Sequence, residues 1–214
     1  MIIMVQTFAS QITQEIFLKK PGRVFSWKDF DVENIEQKTI EQNLSRLRRK
    51  KIIESVAPFR GLYYRPKINP LIGPVLPNRD QVIKAYERKL DTHFYMSGAQ
   101  AANLLGLSNQ VPAKIIYYTD KQLKPFYLGN NEISFRRKVL NFSEAQNTSL
   151  LLLLAIEYLG ENEVNIKKTK DKIISILNDK CILTDLSMNL DNFPKWISKF
   201  ILSYVISLSG HNDG

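Results

Sequence analysis

The sequence predicts an α+β chain in two parts. Three observations carry this. Apolar residues recur at helical spacing in some segments and alternate at strand spacing in others. Prolines 66, 70, 74 and 77 cluster between the two halves. Positive charge is denser before that cluster than after it. Residues 1–66 hold 12 Lys and Arg against 7 Asp and Glu, whereas residues 67–214 hold 18 against 14.

The elements follow in order. Thr7–Lys20 carries Phe8, Ile12 and Ile16 at helical spacing and is stopped by Pro21-Gly22. Val24-Phe25 suits one short strand. Ser26 stands at an N-cap with Asp29 three residues on, a capping-box pattern for a short helix over 27–30. A polar turn over 31–34 leads to the clearest helix, Glu36–Lys50, whose Ile40, Leu44 and Leu47 form one apolar stripe. Ile52–Val56 and Leu62–Arg65 read as strands joined by the turn Pro58–Gly61. This order of elements is that of a winged helix-turn-helix, assigned to residues 1–66.

Residues 67–78 are expected to be an irregular Pro-rich connector and the domain boundary. Ile68, Leu71, Ile72, Val75 and Leu76 are too apolar for a free linker, so the connector is expected to pack in extended form. Residues 79–214 are expected to form a mixed domain with a small antiparallel sheet and C-terminal helices. Helices are expected over 80–90, 97–105 (ended by Gly106), 143–159 (Ser143 as N-cap, Gly160 as stop), 168–179 and 194–208. A strand is expected over 113–119, and a hairpin pairs 125–128 with 132–138 across Gly129-Asn130-Asn131. Residues 210–214 read as a frayed tail.

Composition narrows the chemistry. The net charge is +9, which favours a polyanionic partner. The single cysteine, Cys181, permits no internal disulfide and suits a buried hydrophobe. With His93 and His211 as the only histidines, no metal site or cofactor is expected. The longest apolar run, Leu150–Ile156, is far too short to span a bilayer. A cytoplasmic location is the default.

The helix at 36–50 has a polar face of Lys38, Gln42, Ser45, Arg46 and Arg49, opposite the apolar stripe. Gln can bond adenine and Arg guanine in bidentate fashion, so this face suits the major groove; a solvated helix surface is the bland alternative. Thr39, Asn43 and Lys50 complete the candidate DNA-binding set on this helix. Arg48 and Lys51, like Lys50, suit phosphates or open solvent. Arg60 at the hairpin tip suits a minor groove or a phosphate, or is a plain loop cation. In the second half, Lys114, Arg136, Arg137 and Lys138 are candidates for a partner surface, against a solvated strand edge. The small residues of Ser97–Leu107 indicate tight helix packing. No nucleophile elbow, paired carboxylates or Gly-rich phosphate loop appears, so no catalytic residue is assigned and the chain is not expected to be an enzyme.

Gly22-Arg23-Val24-Phe25-Ser26, Asn43–Lys50 and Arg60-Gly61-Leu62-Tyr63-Tyr64 resemble the N-terminal winged helix of AbiE-type antitoxins. Ser97–Ser108, Gln110–Lys114 and Tyr118-Thr119-Asp120 resemble their second domain. The similarity spans about residues 8 to 140, and the C-terminal third shares only general character. The resemblance implies an antitoxin of a type IV toxin-antitoxin pair, used in abortive infection against phage. It implies repression of the operon's own promoter through inverted repeats in double-stranded DNA. It also implies counteraction of a nucleotidyltransferase-like toxin, with direct contact left open. A plain regulator with a ligand-sensing second domain is the alternative, and an RNA-binding protein a more distant one.

Overall fold

The computed structural model describes residues 8–31, 35–140, 148–179, 182, 186 and 190–209. Ser143, Cys181, His211, the tail and most of the 31–34 turn lie outside these residues. The fold is mixed α+β, and the chain divides into two compact units, Met1–Thr92 and His93–Gly214.

In the first unit, α1 (Phe8–Leu18) leads to β1 (Val24–Phe25), a 3-10 turn (Trp27–Asp29) and α2 (Gln37–Arg49). Strands β2 (Glu54–Ser55) and β3 (Tyr63–Tyr64) follow. The sheet order is β1–β3–β2, antiparallel throughout, so the first strand closes onto the later hairpin. Ile12 and Ile16 of α1 meet Phe25, Phe30, Ile40, Leu44, Leu47 and Ile53 in one core. The Ser26–Asp29 capping box forms: the Ser26 N–H donates to Asp29 Oδ2 at 2.8 Å, and the Lys28 N–H donates to Ser26 Oγ.

The boundary expected at 67–78 falls instead after Thr92, because α3 (Arg79–Leu90) belongs to the first unit. Arg88 Nε on α3 donates to Asp29 Oδ1 at 2.9 Å, and its Nη2 donates to the Val24 carbonyl. Phe59 packs on Tyr86 with ring centroids 4.6 Å apart. Asp29 thus serves a cap and an ion pair from a side chain only 5% exposed. Asp29→Ala is expected to lower the stability of the first unit by about 1–2 kcal/mol, read as an earlier denaturant midpoint, since it opens the cap and removes the carboxylate that Arg88 pairs with.

The Pro-rich segment is also not irregular. β4 (Lys67–Asn69) and β5 (Gly73–Val75) pair as an antiparallel hairpin. Asn69 Oδ1 accepts the N–H groups of Leu71 and Ile72, and Gly73 takes φ +79°. Each strand of a two-stranded hairpin keeps one unpaired edge, which accommodates Pro74 without a lost ladder bond. Nor do its apolar residues pack as expected: Ile68, Leu71, Ile72 and Leu76 are exposed, Leu71 by 94%.

The second unit runs β6 (Tyr95–Met96), α4 (Gly98–Leu104), β7 (Ile115–Thr119), β8 (Phe126–Leu128), β9 (Asn131–Arg137), α5 (Thr148–Val164), α6 (Lys167–Leu177) and α7 (Lys195–Ser209). Its sheet, ordered β6–β7–β9–β8, is mixed, not antiparallel. The β8–β9 hairpin forms as expected, but β9 then lies beside β7 and runs parallel to it, Ile115 opposite Ile133. α5 is buried on every face from Leu150 to Ile156, as an all-round apolar helix must be. Gly160 breaks it at φ 79°, ψ 164°. α4 lies against α5 through Gly98, where a Cβ would stand 2.3 Å from the Leu154 carbonyl oxygen. Among the described residues no helix is long and apolar enough to cross a membrane.

Candidate nucleic-acid interface

The apolar stripe of α2 turns inward and fixes what its other side presents. Ile40, Leu44 and Leu47 are buried. Lys38, Gln42, Arg46 and Arg49 are therefore exposed, with Arg48 and Lys50 beside them. Thr39 and Ser45 are half-buried at the margins. Asn43 departs from the expected set. It is buried and its Nδ2 donates to the Thr39 carbonyl at 2.9 Å, so its amide is used within the helix and does not reach outward. The reason is angular: Asn43 directly precedes Leu44 and lies on the core margin of the stripe.

Among the described residues Lys38, Arg46, Arg48, Arg49, Lys50 and Arg60 make no ion pair. Arg46, Arg48 and Arg49 fall in the last turn of α2, where cations complement the helix dipole. That dipole accounts for part of the clustering. It does not account for Lys38 near the helix start or Arg60 on the hairpin.

The β2–β3 turn is closed by the Val56 N–H donating to the Leu62 carbonyl. Gly61 there needs its positive φ of 76°. Arg60 is exposed at this turn, and α3 holds the turn in place. The Lys89 ammonium donates to the Arg60 carbonyl, and Tyr86 carries Phe59. Burial pushes the Lys89 ammonium below the usual lysine range. Lys89 and Tyr86 carry no local signal of this role, since they lie some thirty residues further along the chain, in a helix the sequence assigns to the other half. Lys89→Met is expected to free the turn and speed trypsin cleavage after Arg60 several-fold, measured by limited proteolysis.

Tyr64 of β3 donates from its hydroxyl to Glu54 Oε2 of β2 at 2.8 Å, a cross-strand tie beneath the turn. Burial, with the Glu54 hydrogen bond and charge, pushes its phenol up to about 12.

In the second unit Lys114 is exposed just before β7, and Arg136 and Arg137 are exposed on β9. Lys138 does not join them. Its ammonium donates to Glu157 of α5 and sits 4.6 Å from the Phe193 ring centroid and 5.6 Å from that of Tyr118. It is a packing cation between sheet and helix, held there by the Glu157 carboxylate and the two rings. Burial, and then Glu157, push the Tyr118 phenol above the usual tyrosine range. Among the described residues no group of His, Cys, Asp and Glu could hold a metal ion.

No curated protein matches the sequence. A family model matches residues 11–184, and the chain belongs to that family, DUF6088, a family of unknown function.

Proposed function

We propose that the first unit is a winged helix-turn-helix that binds double-stranded promoter DNA. In this reading α2 enters the major groove and the β2–β3 turn is the wing. The observation that carries it is the outer face of α2, where Lys38, Gln42, Arg46 and Arg49 are exposed and the cations make no ion pair among the described residues. Such a face supplies base-reading groups flanked by phosphate-reading ones. The element order and the closure of β1 onto β3 support the same reading. We further propose that the chain is the antitoxin and autorepressor of a type IV toxin-antitoxin operon, its second unit counteracting a nucleotidyltransferase-like toxin. The AbiE-type resemblance of both units supports this, and the protein acts without catalysis of its own.

A gel-shift titration on the DNA upstream of the gene tests the first part. Arg46→Ala or Gln42→Ala is expected to weaken specific binding by about 1–3 kcal/mol, while Lys50→Ala weakens all DNA equally with a shallower salt slope. Co-expression tests the second part. The Arg46→Ala chain is expected to lose promoter repression and still rescue cells expressing the neighbouring toxin. Loss of rescue together with repression would favour the plain-regulator alternative, in which all effects pass through DNA.

A further inference from the structure

A cleft of about 460 Å³ opens within the second unit, between the loop after α4 and the start of α6. That volume falls in the range of small-molecule sites. Its apolar lining includes Leu107, which is buried, and Leu159, which is half-buried. The other lining groups are mostly polar and of mixed kinds.

Lys168 and Lys172 lie four residues apart on α6 and share one face of it. Lys172 Nζ donates to the Gly106 carbonyl at 2.6 Å, which holds the ammonium at the wall and leaves two of its three donors. The Lys168 ammonium has no ion pair or hydrogen bond among the described residues, although Lys168 lines the same space. On the α5 side stands Tyr158, 48% exposed. Glu163 also lines the cleft, its carboxylate accepting from the buried Thr169 hydroxyl at 3.4 Å.

We infer that this cleft binds a nucleoside phosphate. Two ammonium groups on one helix face suit phosphate oxygens. A half-exposed phenol ring offers a face to a base, and stacking of that kind is sequence-tolerant. A carboxylate oriented by a hydroxyl accepts from sugar hydroxyls, which a bare anion site would have no use for. The excess of two lysines over one glutamate keeps the cleft cationic. The second unit thereby gains a ligand of its own, independent of whether the first unit reads DNA.

Isothermal titration of the full chain tests this with ATP, GTP, CTP and UTP, and with inorganic triphosphate as the sugar-free probe. At least one nucleotide is expected to bind, and Lys168→Glu is expected to weaken it about tenfold or more without changing thermal unfolding. Tyr158→Leu, which keeps the Cβ, is expected to weaken the nucleotide and leave triphosphate unchanged. Arg46→Ala is expected to leave nucleotide binding intact, which separates this site from the cationic face of α2. The inference is overturned by no binding up to millimolar nucleotide. It is equally overturned by binding that Lys168→Glu leaves unchanged, or by triphosphate binding as tightly as every nucleotide while Tyr158→Leu has no effect.

Discussion

Leu44→Asp is expected to unfold the first unit and, with it, to abolish the DNA binding proposed for it. Leu44 is fully buried at the centre of the stripe that seats α2 on Ile12, Ile16 and Phe25. The substitution removes an apolar side chain and leaves a carboxylate with no partner in a dry core. Either change alone is costly, and together they exceed about 4 kcal/mol, a large share of the stability of a unit this size. Circular dichroism and denaturant titration check it. The first unit's transition should vanish while that of the second persists, because the two cores are separate. A normal first-unit transition would mean that the α2 stripe does not face the core, and the exposed face assigned to DNA would then be misassigned too.

Gly98→Ala is expected to be the severest single-atom change in the second unit. A Cβ there would lie 2.3 Å from the Leu154 carbonyl oxygen and 2.6 Å from Tyr158 Cβ. Neither neighbour is the loose end of a side chain, so α4 must move off α5, exposing Ala101 and Ala102, which are buried beside Gly98 on the same helix. Alanine is the better helix former, but Gly98 is the first residue of α4, so the gain is less than the ~1 kcal/mol of a helix interior; it still opposes the clash and sets the sign of the test. Overpacking against backbone outweighs that gain, and a net loss of about 3 kcal/mol is expected. Thermal unfolding should show the second unit melting early while gel-shift affinity on promoter DNA stays unchanged. A stabilised Gly98→Ala protein would mean that the α4–α5 approach is looser than described.

These effects fall on residues whose roles differ in how far local sequence reveals them. The Ser26–Asp29 cap and the 40–44–47 stripe were legible because both lie within a turn or two of chain, where spacing alone decides. The small residues from Ser97 to Leu107 announced close packing, and Gly98 delivers it. The rest was set at long range. Nothing near Arg88 signals its carboxylate partner 59 residues earlier, so local sequence places α3 in the second half. Prolines argued against any pairing over 67–75, yet a hairpin with free outer edges tolerates them. The parallel β7–β9 pairing depends on which edge the β8–β9 hairpin presents, and hairpin signals do not specify this. Of the candidate site, the exposed cations of α2 followed from helix geometry. Asn43 reads as outward-facing because it lies so close to the stripe margin, and Lys138 because its partners, Glu157 of α5 and Phe193 just before α7, lie far from its strand in sequence.

The most direct test of DNA reading by the first unit is a fluorescence-anisotropy titration of the full chain. It compares the duplex upstream of its gene with a scrambled duplex of equal composition over a range of salt. The upstream duplex is expected to bind at least about a thousandfold tighter, with affinity for both duplexes falling as salt rises and Arg46→Ala erasing most of the preference. Equal affinity for the two duplexes, or an upstream preference that survives loss of both Arg46 and Gln42, would contradict it.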